Sequence, residues 1–307
     1  MMVRALYPID LVPFLFALGR MPANEAVSCG SLSRRSPTSP EALLEQWLPL
    51  RTRRQTWVVF QRGRPVGLLS ARTSGNSGTW DIDHLHADKD KCLALMDTAT
   101  AAIAKQGVRR IFLRLPSDSP LVHEARRSGF APYKMGAVYR HTATPVRSQT
   151  VSSGPYRLRA VSKHDDFQLF DLYRAAVPDQ VRAAEGMTIG EWQETRDMPA
   201  WPEKHREYVL RNESQVVGWL RVSAAGRTGC FTLMYREEDS DGPRSLVDHA
   251  LVCLSGHSPL FCIAWAFQGR LLRLLADLGF EHMGECSALV KEMAVKASEP
   301  GLMPIQA

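Results

Sequence analysis

The sequence predicts an α/β (α+β) protein built from two tandem copies of one domain. The chain has 307 residues, which at roughly 100–200 residues per domain corresponds to two domains. Its two halves match at three separated places in the same order. Residues 142–155 are rich in Thr, Ser, Pro and Gly, which is typical of a linker. We therefore expect an N-terminal domain over residues 1–141 and a C-terminal domain over residues 156–307.

Each half begins with a short strand that enters a helix. Residues 4–6 (Arg-Ala-Leu) followed by Asp10 match residues 159–161 (Arg-Ala-Val) followed by Asp165. A β-hairpin follows in both halves, because polar turn residues separate two β-rich runs. The matching hairpins cover residues 57–69 and 208–220, and the strands after them cover residues 79–86 and 230–237.

The second part of each half alternates helices and strands. A strand leads into a helix that stops at Gly129-Phe130 in one half and at Gly279-Phe280 in the other. Glycine is expected just beyond a helix because it adopts the left-handed conformation without a Cβ penalty. The predicted helices before these strands cover residues 91–105 and 244–254, the strands 110–115 and 260–265, and the final strands 135–141 and 288–291.

This order of elements, present twice over nearly the whole chain, resembles the GNAT acyltransferase superfamily. The resemblance implies two GNAT-like domains, each with a mixed, mostly antiparallel central sheet flanked by helices. It also implies that the fourth strand splays from the fifth and that the gap holds the pantetheine arm of acetyl-CoA or another acyl-CoA. The N-terminus of the next helix would receive the pyrophosphate, since its free N–H groups and dipole attract anions.

Both halves depart from the family's motifs. The phosphate-binding motif [Q/R]-x-x-G-x-[G/A] is absent from residues 86–93 and from residues 236–246. Carboxylates replace it, and they would cap the helix and repel a pyrophosphate. The family's tyrosine, a general acid for the leaving thiolate, is replaced by Ala125 and Leu275.

The resemblance places the more promising site in the second half. Glu237 ends the strand where many members carry a carboxylate that accepts the amine proton, and Tyr235 lies on the same face of that strand. A solvated acidic loop is the alternative, because Glu238 and Asp239 are adjacent. The residues expected to bind the cofactor are Met234, Arg236, Gly242, Arg244 and Ser245.

The first half offers a second candidate base. In the strand over residues 79–86, alternation puts His84 and His86 on one face with Trp80 and Ile82. His84 is the better candidate of the two histidines for a base. The alternative is a half-exposed strand with polar residues at its outer end.

Composition limits the classes of ligand and partner that the protein is expected to bind. The formal charge of +6 permits an anionic ligand, but the charges are scattered, so nucleic-acid binding is not expected. The densest basic cluster, residues 51–54, lies near Trp47 and Trp57 and is as well explained by a solvated turn. The six cysteines form no C-x-x-C pair, so neither a metal site nor a disulfide framework is expected.

The N-terminal apolar run does not have the features of a signal peptide. Residues 11–18 are apolar, but Pro13 interrupts them and Asp10 precedes them. No stretch reaches the roughly 20 apolar residues of a membrane span. These features favour a cytoplasmic protein without a membrane partner.

The resemblance therefore implies an N-acyltransferase that transfers an acyl group from acyl-CoA to a small-molecule or peptide amine. The alternative is a catalytically inactive tandem protein that serves ligand binding or protein association. The sequence leaves open the acceptor, the acyl group, the oligomeric state and the relative orientation of the halves.

Overall fold

The computed structural model describes residues 1–28, 31–32, 54–73, 78–142, 156–190, 204–213 and 215–294. The predicted linker from residue 143 onward and the basic cluster up to residue 53 lie outside these ranges. In the described chain, none of the helices combines the length and the apolar character needed to cross a bilayer.

The first half contains six strands and three α-helices among its described residues. Its strands are β1 (Met2–Ala5), β2 (Arg54–Gln61), β3 (Arg64–Thr73), β4 (Thr79–His86), β5 (Arg110–Pro116) and β6 (Ala131–His141). Its helices are α1 (Leu11–Ala17), α2 (Lys89–Ala104) and α3 (Leu121–Arg127).

Among its described elements, the second half repeats this order with one more helix. Its strands are β7 (Tyr156–Ala160), β8 (Lys204–Asn212), β9 (Gln215–Ala225), β10 (Thr228–Tyr235), β11 (Leu260–Trp265) and β12 (Glu281–Glu292). Its helices are α4 (Asp166–Ala176), α5 (Asp179–Glu185), α6 (Gly242–Cys253) and α7 (Gly269–Asp277).

All twelve strands form one continuous sheet. The strand order is β1-β2-β3-β4-β5-β12-β6-β11-β10-β9-β8-β7. The last strand of each half therefore lies beside the fifth strand of the other half: β12 pairs with β5, and β6 pairs with β11. β6 and β12 also pair with each other at the centre of the sheet. Neither half completes its sheet without a strand from its neighbour.

Close contact at this centre depends on Gly136 of β6. A Cβ atom at this position would lie 2.8 Å from the carbonyl oxygen of Ala264 and 2.8 Å from the ring of Trp265. Both contacts are closer than real Cβ atoms approach. The absence of a side chain therefore allows β6 to pair with β11.

Two main cores lie on the sheet, one in each half. In the first half, β2 to β5 pack on α2 and α3, and in the second half β9 to β11 pack on α6 and α7. Gly129 and Gly279 adopt φ values of +89° and +77°. Phe130 and Phe280 follow them and are buried in these cores, as the Gly-Phe pattern predicted.

The repeated Arg and Asp at the start of each half form the same structural motif. In the second half, both terminal nitrogens of Arg159 bond to the carboxylate of Asp165, at 2.7 and 2.6 Å. The backbone N–H of Ser162 donates to the same carboxylate at 2.8 Å. Arg4 and Asp10 repeat this pair in the first half, at 2.5 and 2.7 Å. The motif therefore fixes the entry into each first helix and has a structural role.

We expect Asp165→Asn to lower the free energy of unfolding by about 1–2 kcal/mol at neutral pH, because the variant loses the charge-assisted hydrogen bonds from Arg159 while it still accepts from Ser162. The hydrogen bond from Arg159 holds the pKa of Asp165 below its ordinary value. A carboxyl with a depressed folded-state pKa contributes stability above the unfolded pKa of about 4, and loses it as the pH falls. Urea unfolding at neutral and acidic pH measures this.

The difference between Asp165→Asn and the unchanged protein should shrink at about pH 3. A difference that stays constant on acidification would show that the charge of Asp165 is not its source. Asp10→Asn, in the repeated motif of the first half, should behave in the same way.

Candidate functional site

In both halves the fourth and fifth strands separate before they end. β4 and β5 pair in parallel from Thr79 and Arg110 to Ile82 and Leu113, although both strands continue beyond that point. β10 and β11 likewise pair only as far as Phe231 and Cys262. Each half therefore has the gap between strands that the GNAT resemblance predicted for the pantetheine arm.

The gap in the first half is filled by the chain itself. The N–H of Glu25 donates to the carbonyl oxygen of Leu85 in β4 at 3.0 Å, and the N–H of Val27 donates to Arg114 in β5 at 2.9 Å. The side-chain oxygen of Asn24 accepts from Leu85 N–H at 2.8 Å. Ala26 between them is 2% exposed and packs in the core. Residues 24–27 thus fill the gap in which the resemblance predicts the pantetheine arm, so this gap does not fit an acyl-CoA.

The gap in the second half is spanned by one side chain. Gln268 donates from Nε2 to the carbonyl oxygen of Leu233 in β10 at 2.9 Å. Its Oε1 accepts from the N–H of Trp265 in β11 at 3.0 Å. Gln268 therefore satisfies buried backbone groups on both strands while holding the strands apart.

A cavity of about 330 Å³ opens onto this second gap. Its second-half wall includes Tyr173, Glu185, Trp219, Trp265, Phe267 and Gln268. Its first-half wall includes Thr79, Asp81, Phe112, Arg114, Tyr133 and Lys134. Tyr133 and Lys134 are on β6, the strand exchanged between halves. The cavity is therefore a composite of both halves, and the strand exchange creates it.

A buried polar cluster lies at one end of this cavity. Nζ of Lys134 donates to Oε1 of Glu185 at 2.5 Å, and the hydroxyl of Tyr173 donates to Oε2 at 2.7 Å. The side chains of Lys134 and Glu185 are only 12% and 13% exposed. Nζ of Lys134 also lies 4.0 Å from the ring centre of Trp265. The ion pair of Lys134 and Glu185 thus lies against the ring of Trp265 at this end of the cavity.

Burial sets the protonation of this cluster. Burial lowers the pKa of Lys134, and the neighbouring charge of Glu185 offsets part of that effect. Burial also raises the pKa of Tyr173 and of Tyr133, and the charge of Glu185 raises both further. Both phenols therefore stay protonated at neutral pH and act as hydrogen-bond donors.

The N-terminus of α6, where the resemblance places the pyrophosphate, carries a carboxylate. Oδ1 of Asp239 accepts from the N–H of Gly242 at 3.2 Å and from the hydroxyl of Tyr156. This hydrogen bond raises the pKa of Tyr156 to about 12. A Cβ at Gly242 would lie 3.2 Å from the Asp239 carboxyl group. Asp239 therefore puts a negative charge at the position where the resemblance predicts the phosphates of an acyl-CoA.

The two sequence-predicted catalytic residues of the second half lie away from the cavity. Tyr235 is buried against α7, where its hydroxyl accepts from the N–H of Leu271 at 3.3 Å. Glu237 is exposed beyond the end of β10. The alternation that puts both on one face of the strand puts Thr232 and Met234 on the other, and these two line the cavity.

The five residues expected to bind the cofactor separate into three locations. Met234 lines the cavity, and Arg236 pairs with Asp171 of α4 at 2.5 Å. Gly242 and Ser245 are in the first turn of α6. Arg244 points along that helix to Asp248 at 3.1 Å, and its side chain is 54% exposed. Their assignment to an acyl-CoA stays a prediction.

The side chain of His84 contacts the carboxylate of Asp83, the preceding residue. Its Nδ1 lies 3.0 Å from Oδ1 of Asp83, and the ring stacks near that of His86, with centroids 6.4 Å apart. His86 is fully buried, with Nδ1 2.9 Å from the carbonyl oxygen of Pro22.

The prediction that His84 and His86 lie on the same face of β4 as Trp80 and Ile82 was wrong. The pairing of β3 with β4 shifts by one residue between Ile82 and His84, so Asp83 forms a bulge. A bulge reverses the alternation, and Leu85 joins Trp80 and Ile82 in the core instead of the histidines.

The sequence did not indicate Lys134, Glu185 or Gln268 as site residues. Each is an isolated polar residue on an element that carries no motif, and the three are brought together by the exchange of β6. The one local signal was a lysine within the β-rich run of residues 131–141, since a lysine is rarely buried without a partner.

No protein-family model matches the sequence, and no curated protein sequence matches it. Solved structures do match the fold. A structure described as a tandem GNAT protein from the clavulanic acid biosynthesis pathway is 14% identical, with a TM-score of 0.60 over 97% of this chain and 99% of that one. A GCN5-related N-acetyltransferase from Sphaerobacter thermophilus is 14% identical, with a TM-score of 0.58 over 95% of each chain.

A putative acetyltransferase from Pyrococcus horikoshii is 13% identical, with a TM-score of 0.54 over 97% of this chain and 91% of that one. These matches confirm the predicted tandem GNAT fold. At such identities they show the fold alone.

Proposed function

We propose, from the tandem GNAT fold of this chain, that its second half is an acyl-CoA-dependent N-acyltransferase site that acts on an amine. The observation that carries the proposal is the composite cavity at the gap between β10 and β11. The equivalent gap in the first half is filled by residues 24–27. The first half then serves as a scaffold and supplies one wall of the site.

The residues of the chain would have distinct tasks. A bound acyl-CoA supplies an activated carbonyl carbon. Gln268 would keep β10 and β11 apart, because it bonds to both strands. Aromatic side chains such as Trp265 and Phe267 would exclude water from the acceptor amine. Glu237 stays a prediction for the residue that takes the amine proton through water.

A specific observation favours a second candidate, the silent binding protein. Asp239 sits at the N-terminus of α6, and its negative charge opposes a pyrophosphate there. If this charge prevents binding altogether, the cavity serves ligand binding without transfer. Titration with acetyl-CoA separates the two candidates.

We expect Asp239→Asn to tighten acetyl-CoA binding by about two- to fivefold, because the variant removes a negative charge from a helix N-terminus. Asparagine still accepts a hydrogen bond from Gly242, so the helix cap is kept. Isothermal titration calorimetry measures the dissociation constant for both proteins.

The matched control is Asp88→Asn at the N-cap of α2, the equivalent helix of the first half. It should leave the affinity unchanged, since the first gap is filled. Equal effects of both variants would argue for a general change in surface charge, and no binding by any of these proteins would remove the acyltransferase proposal.

A further inference from the structure

The walls of the composite cavity are mainly apolar and rich in aromatic rings. Six rings surround it, those of Phe112, Tyr133, Tyr173, Trp219, Trp265 and Phe267. Met187 and Met234 add flexible apolar surface. Such walls bind a flat apolar body through dispersion and burial of apolar area.

The charges that line the cavity are already paired. Lys134 bonds to Glu185 at 2.5 Å, and Arg114 lies 3.8 Å from Asp81 across the first-half wall. A third cation, Arg221, bonds at 2.6 Å to the carboxylate of Glu207, which stands behind the wall. The two lining carboxylates, Asp81 and Glu185, thus each have a cationic partner in the cavity wall, and the charges around the cavity balance.

This balance of charges disfavours the binding of a protonated amine in the cavity. An ammonium group bound at Glu185 would have to displace Lys134, whose own charge is buried beside Trp265. An unpaired buried charge is costly, and both carboxylates of the cavity wall are already paired with cations of the protein. An uncharged amine does not have to displace Lys134, and its binding buries no unpaired charge.

We propose that the cavity takes an aromatic amine, an aniline-type compound that is uncharged at neutral pH, as its acyl acceptor. Binding of this ligand class stands independently, whereas the transfer step rests on the acyltransferase function proposed above. In that step the amine nitrogen forms a bond to the thioester carbonyl carbon and the carbon–sulfur bond breaks. The proton released by the nitrogen passes to the thiolate, so the products are an anilide and free CoA thiol.

This acceptor explains why the cavity can function without a residue that removes a proton. The nitrogen lone pair of an aniline is free at neutral pH, so attack does not have to wait for a base. Transfer to an aniline therefore needs no general base before the attack, because the nitrogen loses its proton only after the new bond has formed.

The test compares 4-methylaniline with benzylamine, two isomers of which only benzylamine is protonated at neutral pH. Calorimetry of the full chain should show binding of 4-methylaniline at least about tenfold tighter, because burial penalises the charged isomer. Phe267→Ala should weaken this binding about five- to tenfold through lost apolar contact. Phe167→Ala is the matched control, since Phe167 is 72% exposed on α4.

Release of CoA thiol from acetyl-CoA is then followed with each amine. Tighter binding of 4-methylaniline together with thiol release supports the proposal in full. Equal or tighter binding of benzylamine, or faster transfer to it, overturns the uncharged acceptor and leaves the acyltransferase function in place.

Selective binding of 4-methylaniline without thiol release supports the ligand class and removes the acyltransferase function. Failure of both isomers to bind overturns the inference. Should Phe267→Ala fail to fold, Met234→Ala, at another apolar residue that lines the cavity, provides the same test.

Discussion

Asp83→Ala should lower the free energy of unfolding by about 3–5 kcal/mol, the usual cost of breaking a buried ion pair from one side. Asp83 forms two bonds to the guanidinium of Arg54, at 2.8 and 2.7 Å, and the side chains are 9% and 3% exposed. Burial alone would raise the pKa of Asp83. The charges of Arg54 and its neighbours outweigh burial and hold this pKa well below its ordinary value.

Urea unfolding at neutral pH measures this loss. Asp81→Ala, two residues away on the same strand, is the matched control: its side chain is 32% exposed and lies 3.8 Å from Arg114. We expect the control to cost less than about 1 kcal/mol, as exposed ion pairs do. If the two variants cost the same, the pair between Arg54 and Asp83 is not a principal stabilising contact of the first half.

Glu185→Leu should also lower the free energy of unfolding by about 3–5 kcal/mol, because it leaves the charge of Lys134 buried without a partner. The loss should be smaller at alkaline pH. Burial lowers the pKa of Lys134, so the unfolded chain binds more protons than the folded one and stability rises with pH. Chemical unfolding at about pH 6.5 and about pH 9 measures both effects.

The double variant Lys134→Met with Glu185→Leu should recover most of the loss, since apolar pairs often replace buried ion pairs without cost. Asp179→Ala on the same helix is the control, because Asp179 is 92% exposed. A double variant as unstable as Glu185→Leu alone would contradict an unpaired charge as the cause.

The two copies of the fold differ at the gap between the fourth and the fifth strand. Residues 24–27 bond to both β4 and β5, so this half satisfies its own backbone without a ligand. The second half uses one side chain, Gln268, for the same task and keeps a cavity beside it. The two copies therefore differ in structure: the chain fills one gap, and the other gap opens onto a cavity.

Local features of the sequence were sufficient for the fold class and for most elements. The Gly-Phe pairs at residues 129–130 and 279–280 marked two helix ends, and the repeated Arg and Asp marked two helix starts. These signals act between near neighbours, through backbone conformation and capping, so they can be read from the sequence. The sequence also showed that carboxylates replace the glycine motif before α6, and Asp239, one of these carboxylates, bonds to the N-terminus of that helix.

The regular alternation of side chains predicted for β4 breaks down at Asp83. The bulge at Asp83 turns His84 and His86 away from the face on which a regular strand would put them. A bulge depends on contacts outside the strand itself, and here the bulged residue Asp83 bonds to Arg54 of β2, which lies two strands away in the sheet. The sequence of β4 alone contains no sign of it.

The sequence by itself determined the tandem repeat, the order of elements and the loss of the phosphate-binding motif. The tertiary structure alone decided that β6 and β12 change places, that residues 24–27 fill one gap and that Lys134 meets Glu185 across the halves. Strand edges offer the same backbone hydrogen bonds to any partner, so the choice between two nearly equivalent strands is made by packing over long distances in the chain. At Gly136 that packing leaves no room for even one carbon atom.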